Sequence, residues 1–215
     1  MITAIMLPPW LMNLHDLFLL MNADRVLFDD LATFSRKSRV HRAKIRTPDG
    51  NQWLHIPIQK SDKKAKLKDV RIDDSTNWME AHLKALRYNY RNSLYFDFYE
   101  PEIVADYEEA YRQVYLIDAT RIMFHRLLRY LEIEDISFEY MSESDIKMDE
   151  IFSENKVWYE QNSKNYIHQV IEESPKPFKH PTYRQHFENF EYDCCLYDLL
   201  FQYGPECFRV VDELV

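Results

Sequence analysis

Only two glycines, Gly50 and Gly204, occur in 215 residues. A P-loop and a GxGxxG dinucleotide turn both need several glycines so that backbone can approach phosphate, and neither is present. Any phosphate must therefore be held by side chains or helix ends. Cysteine is scarce too: Cys194, Cys195 and Cys207 are an odd number near one end, and adjacent cysteines seldom bridge each other. No disulfide framework is implied, and a CC pair in an apolar segment reads first as core packing. No stretch approaches the roughly 18 uncharged apolar residues of a membrane span, and the start lacks the pattern of a secretory signal. The expectation is a soluble, cytoplasmic chain with no membrane insertion.

The formal net charge is -9, but it is uneven. Residues 1–100 hold 16 Lys plus Arg against 12 Asp plus Glu, so the acidic excess lies in the rest of the chain. A uniformly basic nucleic-acid footprint is absent, and a local anion site in an acidic protein fits better. With 46% hydrophobic residues the chain can bury a full core, and its length suits one domain.

Residues 2–7 (ITAIML) read as a short buried strand ended by Pro8 and Pro9. Residues 10–22 carry apolar positions at helical spacing, and RVLF at 25–28 is a second strand closed by Asp29 and Asp30. Strand, helix, strand begins a Rossmann-like α/β unit, which places ligand-binding loops at the carboxyl ends of its strands. Residues 9–13 and 29–34 would be those loops.

A basic β-hairpin follows at about 39–58. Six Lys or Arg residues lie between Arg36 and Arg46. Asp49-Gly50 is a two-residue turn signal, and with that turn residue 45 faces 54 and 43 faces 56. Ala43, Ile45, Leu54, Ile56 and Ile58 then share a core face with His41 beside them. Arg42, Lys44, Arg46, Trp53 and His55 share the other face, which is cationic. Beyond a charged loop come a short strand VRI (70–72) and helices near 77–93, 102–112 and 114–132. A strand is expected at 136–141, a polar loop or insertion at 142–155, a helix near 163–173 and a last helix from about Leu196. The α/β part thus spans about 1–75 and a largely helical part about 76–215.

The segment KHPTYRQHFENFEYDCCLYDLLFQYGPE (179–206) resembles the C-terminal signature of the WbqC-like proteins. His180, Pro181, Tyr183, Gln185, Phe187, Asp198, Leu199, Leu200, Phe201, Gly204 and Pro205 fall on that pattern. The N-terminal half agrees through ADRVLFDD (23–30), Phe34, Ser38, Arg42 and WLHIPI (53–58). The resemblance implies an α/β fold and a link to surface-polysaccharide and lipopolysaccharide biosynthesis, with a transferase that decorates a sugar. It carries no established catalytic motif. Leu7-Pro8 and His15-Asp16 stand where the family commonly has Gln-Pro and Gly-Tyr. Residues 161–166 (QNSKNY) stand in for a glycine-rich loop without any glycine, so no backbone phosphate nest is expected there.

Two readings of the strip follow. In the first the chain is a transferase acting on an activated sugar or nucleotide-linked substrate, with a small phosphate-bearing ligand such as a nucleotide sugar or acyl coenzyme. Arg36, Arg42, Lys37 and His55 would hold the phosphates, because a guanidinium fork matches phosphate oxygens. Asp29, Asp30 or His41 would act as base, and His180, Tyr183 and Gln185 would line the pocket. In the second reading the hairpin is a non-catalytic anion-binding module that docks an acidic protein or nucleic acid, or pairs with the acidic half of another subunit. No cofactor is named by the sequence, and the spacing of His180, His186, Cys194 and Cys195 matches no compact zinc pattern. Asp198, inside an apolar run, needs a buried hydrogen-bond partner from a neighbouring loop.

Overall fold

A computed structural model describes residues 2–134, 136–145, 156–160, 168–170 and 178–215. Strand β1 (Ile2–Met6), helix α1 (Leu14–Asn22) and strand β2 (Arg25–Phe28) form the expected opening unit. The sheet adds β5 (Phe138–Tyr140), β6 (Lys156–Glu160) and β7 (His168–Val170), in the order β5-β2-β1-β6-β7. The contacts between β5, β2, β1 and β6 are parallel, and β7 is an antiparallel edge. The mixed α/β class is as the sequence implies. His168–Val170 is a strand where the periodicity predicts a helix, and the rest of that predicted helix lies outside the described residues. So do most of the predicted polar insertion and the QNSKNY segment.

Helix α1 starts at Leu14 rather than Trp10 because Asn13 caps it. The Asn13 side chain accepts the His15 and Asp16 amides at 3.0 Å, and the Asp16 carboxylate accepts the Asn13 amide at 2.8 Å. This reciprocal pair satisfies donors that an uncapped helix leaves orphaned. Trp10, Leu11 and Met12 are instead buried irregular chain.

The hairpin pairs β3 (Arg42–Thr47) with β4 (Gly50–His55). Its turn is Pro48-Asp49 and not Asp49-Gly50, so residue 43 faces 54 and residue 45 faces 52. Pro at the second position and Gly at the fourth suit a type I turn, and Gly50 takes a φ of 125°. The register differs from the expected one by a full pleat of two residues, so each side chain stays on its expected face. Ala43, Ile45, Leu54 and Ile56 are buried. Arg46 departs from expectation: it is 1% exposed instead of part of a cationic surface. Its guanidinium donates to the carbonyls of Thr47, Gly50, Glu188 and Asn189.

The helical layer comprises α2 (Trp78–Tyr90), α3 (Phe96–Tyr111) and α4 (Leu116–Tyr130). Helix α3 begins six residues before the predicted start and carries Pro101 inside it. The predicted VRI strand is reduced to two isolated bridges, Ile58 with Ile72 and Arg71 with Tyr115. Helix α5 (Leu196–Tyr203) ends at Gly204, and α6 (Phe208–Val211) follows a short 3-10 turn. The C-terminal segment returns to the N-terminal unit: Asn22 Nδ2 donates to the Leu214 carbonyl at 2.9 Å and the Leu196 amide to Met12 at 2.8 Å.

Candidate functional site

At the carboxyl end of the parallel strands, the Asp29 amide donates to the Met6 carbonyl at 2.9 Å and ties the ends of β1 and β2 together. Asp30 is 1% exposed, and its carboxylate accepts the Ser142 amide at 2.9 Å and the Ser142 hydroxyl. It thus fastens the end of β2 to the chain leaving β5. Residues 30–34 then run along 65–68 through three backbone hydrogen bonds of 2.9 to 3.0 Å.

This path delivers the basic strip. Ser35 closes a turn by accepting the Ser38 amide at 3.1 Å and the Ser38 hydroxyl at 2.7 Å. Arg39 is buried and ion-paired with Asp16 of α1, and its carbonyl receives the amides of Trp10 at 3.1 Å and Arg42 at 3.3 Å. Asp16 therefore holds both the helix start and the strip. Arg42 donates from Nε to Ser38 at 3.2 Å and from Nη2 to Lys37 at 2.5 Å, while its plane lies 4.3 Å from the centre of the Trp53 ring. Two of its five N–H groups thus brace the turn. Arg36 and Lys37 are exposed on the same turn.

His41 sits behind this turn, with Phe34 edge-on at 5.0 Å and the His55 ring at 5.8 Å. It is 7% exposed and its Nδ1 is sealed from solvent with no partner. Burial, followed by the charges of His55, Arg42 and Arg36, lowers its pKa to about 4, so it is neutral at pH 7. His55 is exposed, with its pKa lowered mainly by burial of part of the ring and also by Arg42. Phe34, His41, His55, Trp53 and Arg42 therefore form a continuous arc, with Arg36 within electrostatic reach. Two guanidiniums beside two neutral imidazoles favour an anion, whose charge would in turn ease protonation of an imidazole.

Behind β4, His82 of α2 donates from Nε2 to the His55 carbonyl at 3.0 Å. It is 2% exposed, and burial lowers its pKa to about 4. Sequence reasoning missed this residue. Its helical spacing from Trp78 on the buried face of α2 was the available signal.

The C-terminal candidates turn inward. Asp198 has no exposure and accepts from Tyr90 at 2.9 Å, Tyr183 at 2.8 Å and Gln185 at 2.9 Å. Its pKa is raised by burial and pulled back by those donors and by Arg46. Gln185 also clasps Glu191 through both backbone groups at 2.8 and 2.9 Å. His180 bonds through Nδ1 to the Pro181 carbonyl at 2.7 Å and accepts the Asp193 amide on Nε2 at 3.2 Å, so both ring nitrogens are engaged. Cys194, Cys195 and Cys207 are free and buried, and burial raises every thiol pKa, to about 12 for Cys195 and Cys207. Among the described residues no group of three or more His, Cys, Asp or Glu is arranged to hold a metal ion. No helix among them is long and apolar enough to cross a membrane.

No solved structure matches the chain. A protein of Mycobacterium tuberculosis, described only as uncharacterized protein Rv1507c, is 35% identical over 72 residues, covering 33% of this chain and 30% of that protein. The strip, the hairpin and the Asp198 network all lie within residues 9–210, the span matched by the family model of the WbqC-like proteins, and on that extent of agreement the chain belongs to the WbqC-like protein family.

Proposed function

We propose that the chain is a cytoplasmic transferase acting on an activated sugar or nucleotide-linked substrate in surface-polysaccharide biosynthesis. The observation that supports this reading is the arc of His41, His55, Trp53 and Arg42, flanked by Arg36, beside the carboxyl ends of β1 and β2. Open parallel sheets bind ligands outside those strand ends. Arg36 and Arg42 grip phosphate oxygens, and Trp53 and His55 offer an aromatic surface beside them. His55, exposed and neutral, is placed to exchange a proton with the ligand, while buried His41 sets its position. Asp30 is committed to Ser142 and serves the scaffold.

Thermal shift against nucleotides, nucleotide sugars, acyl-coenzyme A compounds and short oligonucleotides tests the reading, because a ligand that binds only the folded chain raises its melting temperature. A nucleotide sugar or coenzyme is expected to stabilise the protein. Arg36→Ala should leave the unliganded melt unchanged, since the side chain is exposed, and should weaken binding about tenfold, the effect of one lost charge-assisted contact of roughly 1.4 kcal/mol. Stabilisation by oligonucleotides alone, falling steeply with salt, would replace the transferase with a docking module.

A further inference from the structure

Two tight turns stand at one end of the antiparallel contact between residues 30–34 and 65–68. The first, 35–38, is closed by the Ser38 amide donating to the Ser35 carbonyl at 3.1 Å, and the second, 62–65, by the Ala65 amide donating to the Asp62 carbonyl at 2.9 Å. In an antiparallel pair the residues after Thr33 and those before Lys66 lie at the same end, so the bridge between Thr33 and Lys66 sets the turns beside each other. The central residues of a four-residue turn form its tip. Here they are Arg36 and Lys37 in one turn and Lys63 and Lys64 in the other, all exposed, as are Lys66 and Lys68 just beyond.

Both turns are braced from behind by an arginine. Arg42 donates to the Lys37 and Ser38 carbonyls, and Arg71 holds the Asp62 carboxylate through Nε and Nη2, each at 2.9 Å. The carboxylates within these segments are turned away: Asp30 bonds to Ser142 and Asp62 to Arg71, and they are 1% and 7% exposed. Asp69, outside the turns, is the next exposed carboxylate along the chain. Among the described residues no ion pair reaches any of the six cations. Like charges crowded without partners repel one another, and a polyanionic surface would relieve them. Turn tips project charge rather than enclose a ligand, and neither turn carries an aromatic ring on which a nucleic-acid base could stack.

We propose that the two turns form a docking surface for an anionic lipid bilayer, on which the chain rests by charge without inserting. Lysine, a point charge on a flexible stem, supplies four of the five cations from Lys37 to Lys68 and Arg36 the fifth guanidinium or ammonium beside them, a set that needs no fixed geometry in its partner. Each Lys or Arg near such a surface strengthens binding about fivefold. The attraction fades within about 10 Å at ordinary salt, so cations at the tips act ahead of acidic residues elsewhere, although the net charge is -9. The surface adjoins the arc of Arg42 and Trp53 but does not depend on which ligand the arc takes.

Co-sedimentation of the intact protein with vesicles tests this. Vesicles of phosphatidylcholine containing phosphatidylglycerol should carry the protein down at low salt and release it at high salt, and vesicles of phosphatidylcholine alone should not bind it. Lys63→Gln/Lys64→Gln/Lys66→Gln leaves the arc intact, and it should keep the melting temperature and weaken vesicle binding roughly hundredfold, about fivefold for each lost cation. If the triple variant melts lower, Lys63→Gln/Lys64→Gln leaves the Lys66 bridge alone and should weaken binding about thirtyfold. No binding to the anionic vesicles at low salt, equal binding to both kinds of vesicle, undiminished binding by a folded variant, or capture of a short oligonucleotide without capture of vesicles would overturn the proposal.

Discussion

Asp198 accepts three hydrogen bonds at a position without solvent contact, and its partners come from α2 and from the chain before α5. Tyr90 extends the network by accepting the Arg46 amide at 2.8 Å, which brings the hairpin into it. Asp198→Ala would strand three buried donors at once. At about 1 to 3 kcal/mol for each unsatisfied group, the loss should reach at least roughly 3 kcal/mol in urea denaturation, and Asp198→Asn should cost less. A loss under about 1 kcal/mol would mean that those donors find other acceptors. Tyr183 and Gln185, which the sequence places at a pocket wall, both donate to this carboxylate.

The hairpin shows how much of the fold and site the sequence discloses. Alternation between polar and apolar residues sorts its faces, and a register error of two residues leaves that sorting intact. The Pro48 signal decides the turn. Arg36, His41, Arg42 and His55 could be grouped from sequence because they lie within twenty residues on one local element. The bond from Tyr90 to Asp198 spans 108 positions, and no local period carries information across such a gap. Helix α1 could have been placed better, since Asn13 and Asp16 have the spacing of a capping box. At the other end of the chain, α5 stops at Gly204, where φ is 52° and an added Cβ would meet the Tyr95 ring at 2.6 Å. Gly204→Ala should therefore destabilise by more than about 1 kcal/mol, read as a fall in the denaturation midpoint, and a neutral outcome would show that Tyr95 can move aside.

Across the molecule, His41 and His82 respond to acid together. Both have pKa values of about 4 in the folded chain, against an ordinary value of 6.5. Between those values the unfolded chain binds more protons, so stability rises with pH and is lost as pH falls from about 6.5 towards 4. Each histidine is worth on the order of 3 kcal/mol by pH 4. Asp106 and Asp198, with pKa values raised by burial, act in the opposite direction in the carboxylate range. The urea midpoint should drop between pH 6.5 and 4.5, and a flat profile would contradict the neutral burial of both imidazoles. The contacts between chain ends bear on biosynthesis. Met12 receives its backbone partner from Leu196, Lys44 from Cys195 and Asn22 from Leu214. Contacts of such long sequence separation slow folding. A nascent chain emerging from the ribosome therefore cannot seal its first α/β unit until α5 has been made, and stalling before that point would leave the apolar faces of β1 and α1 open to chaperones or aggregation.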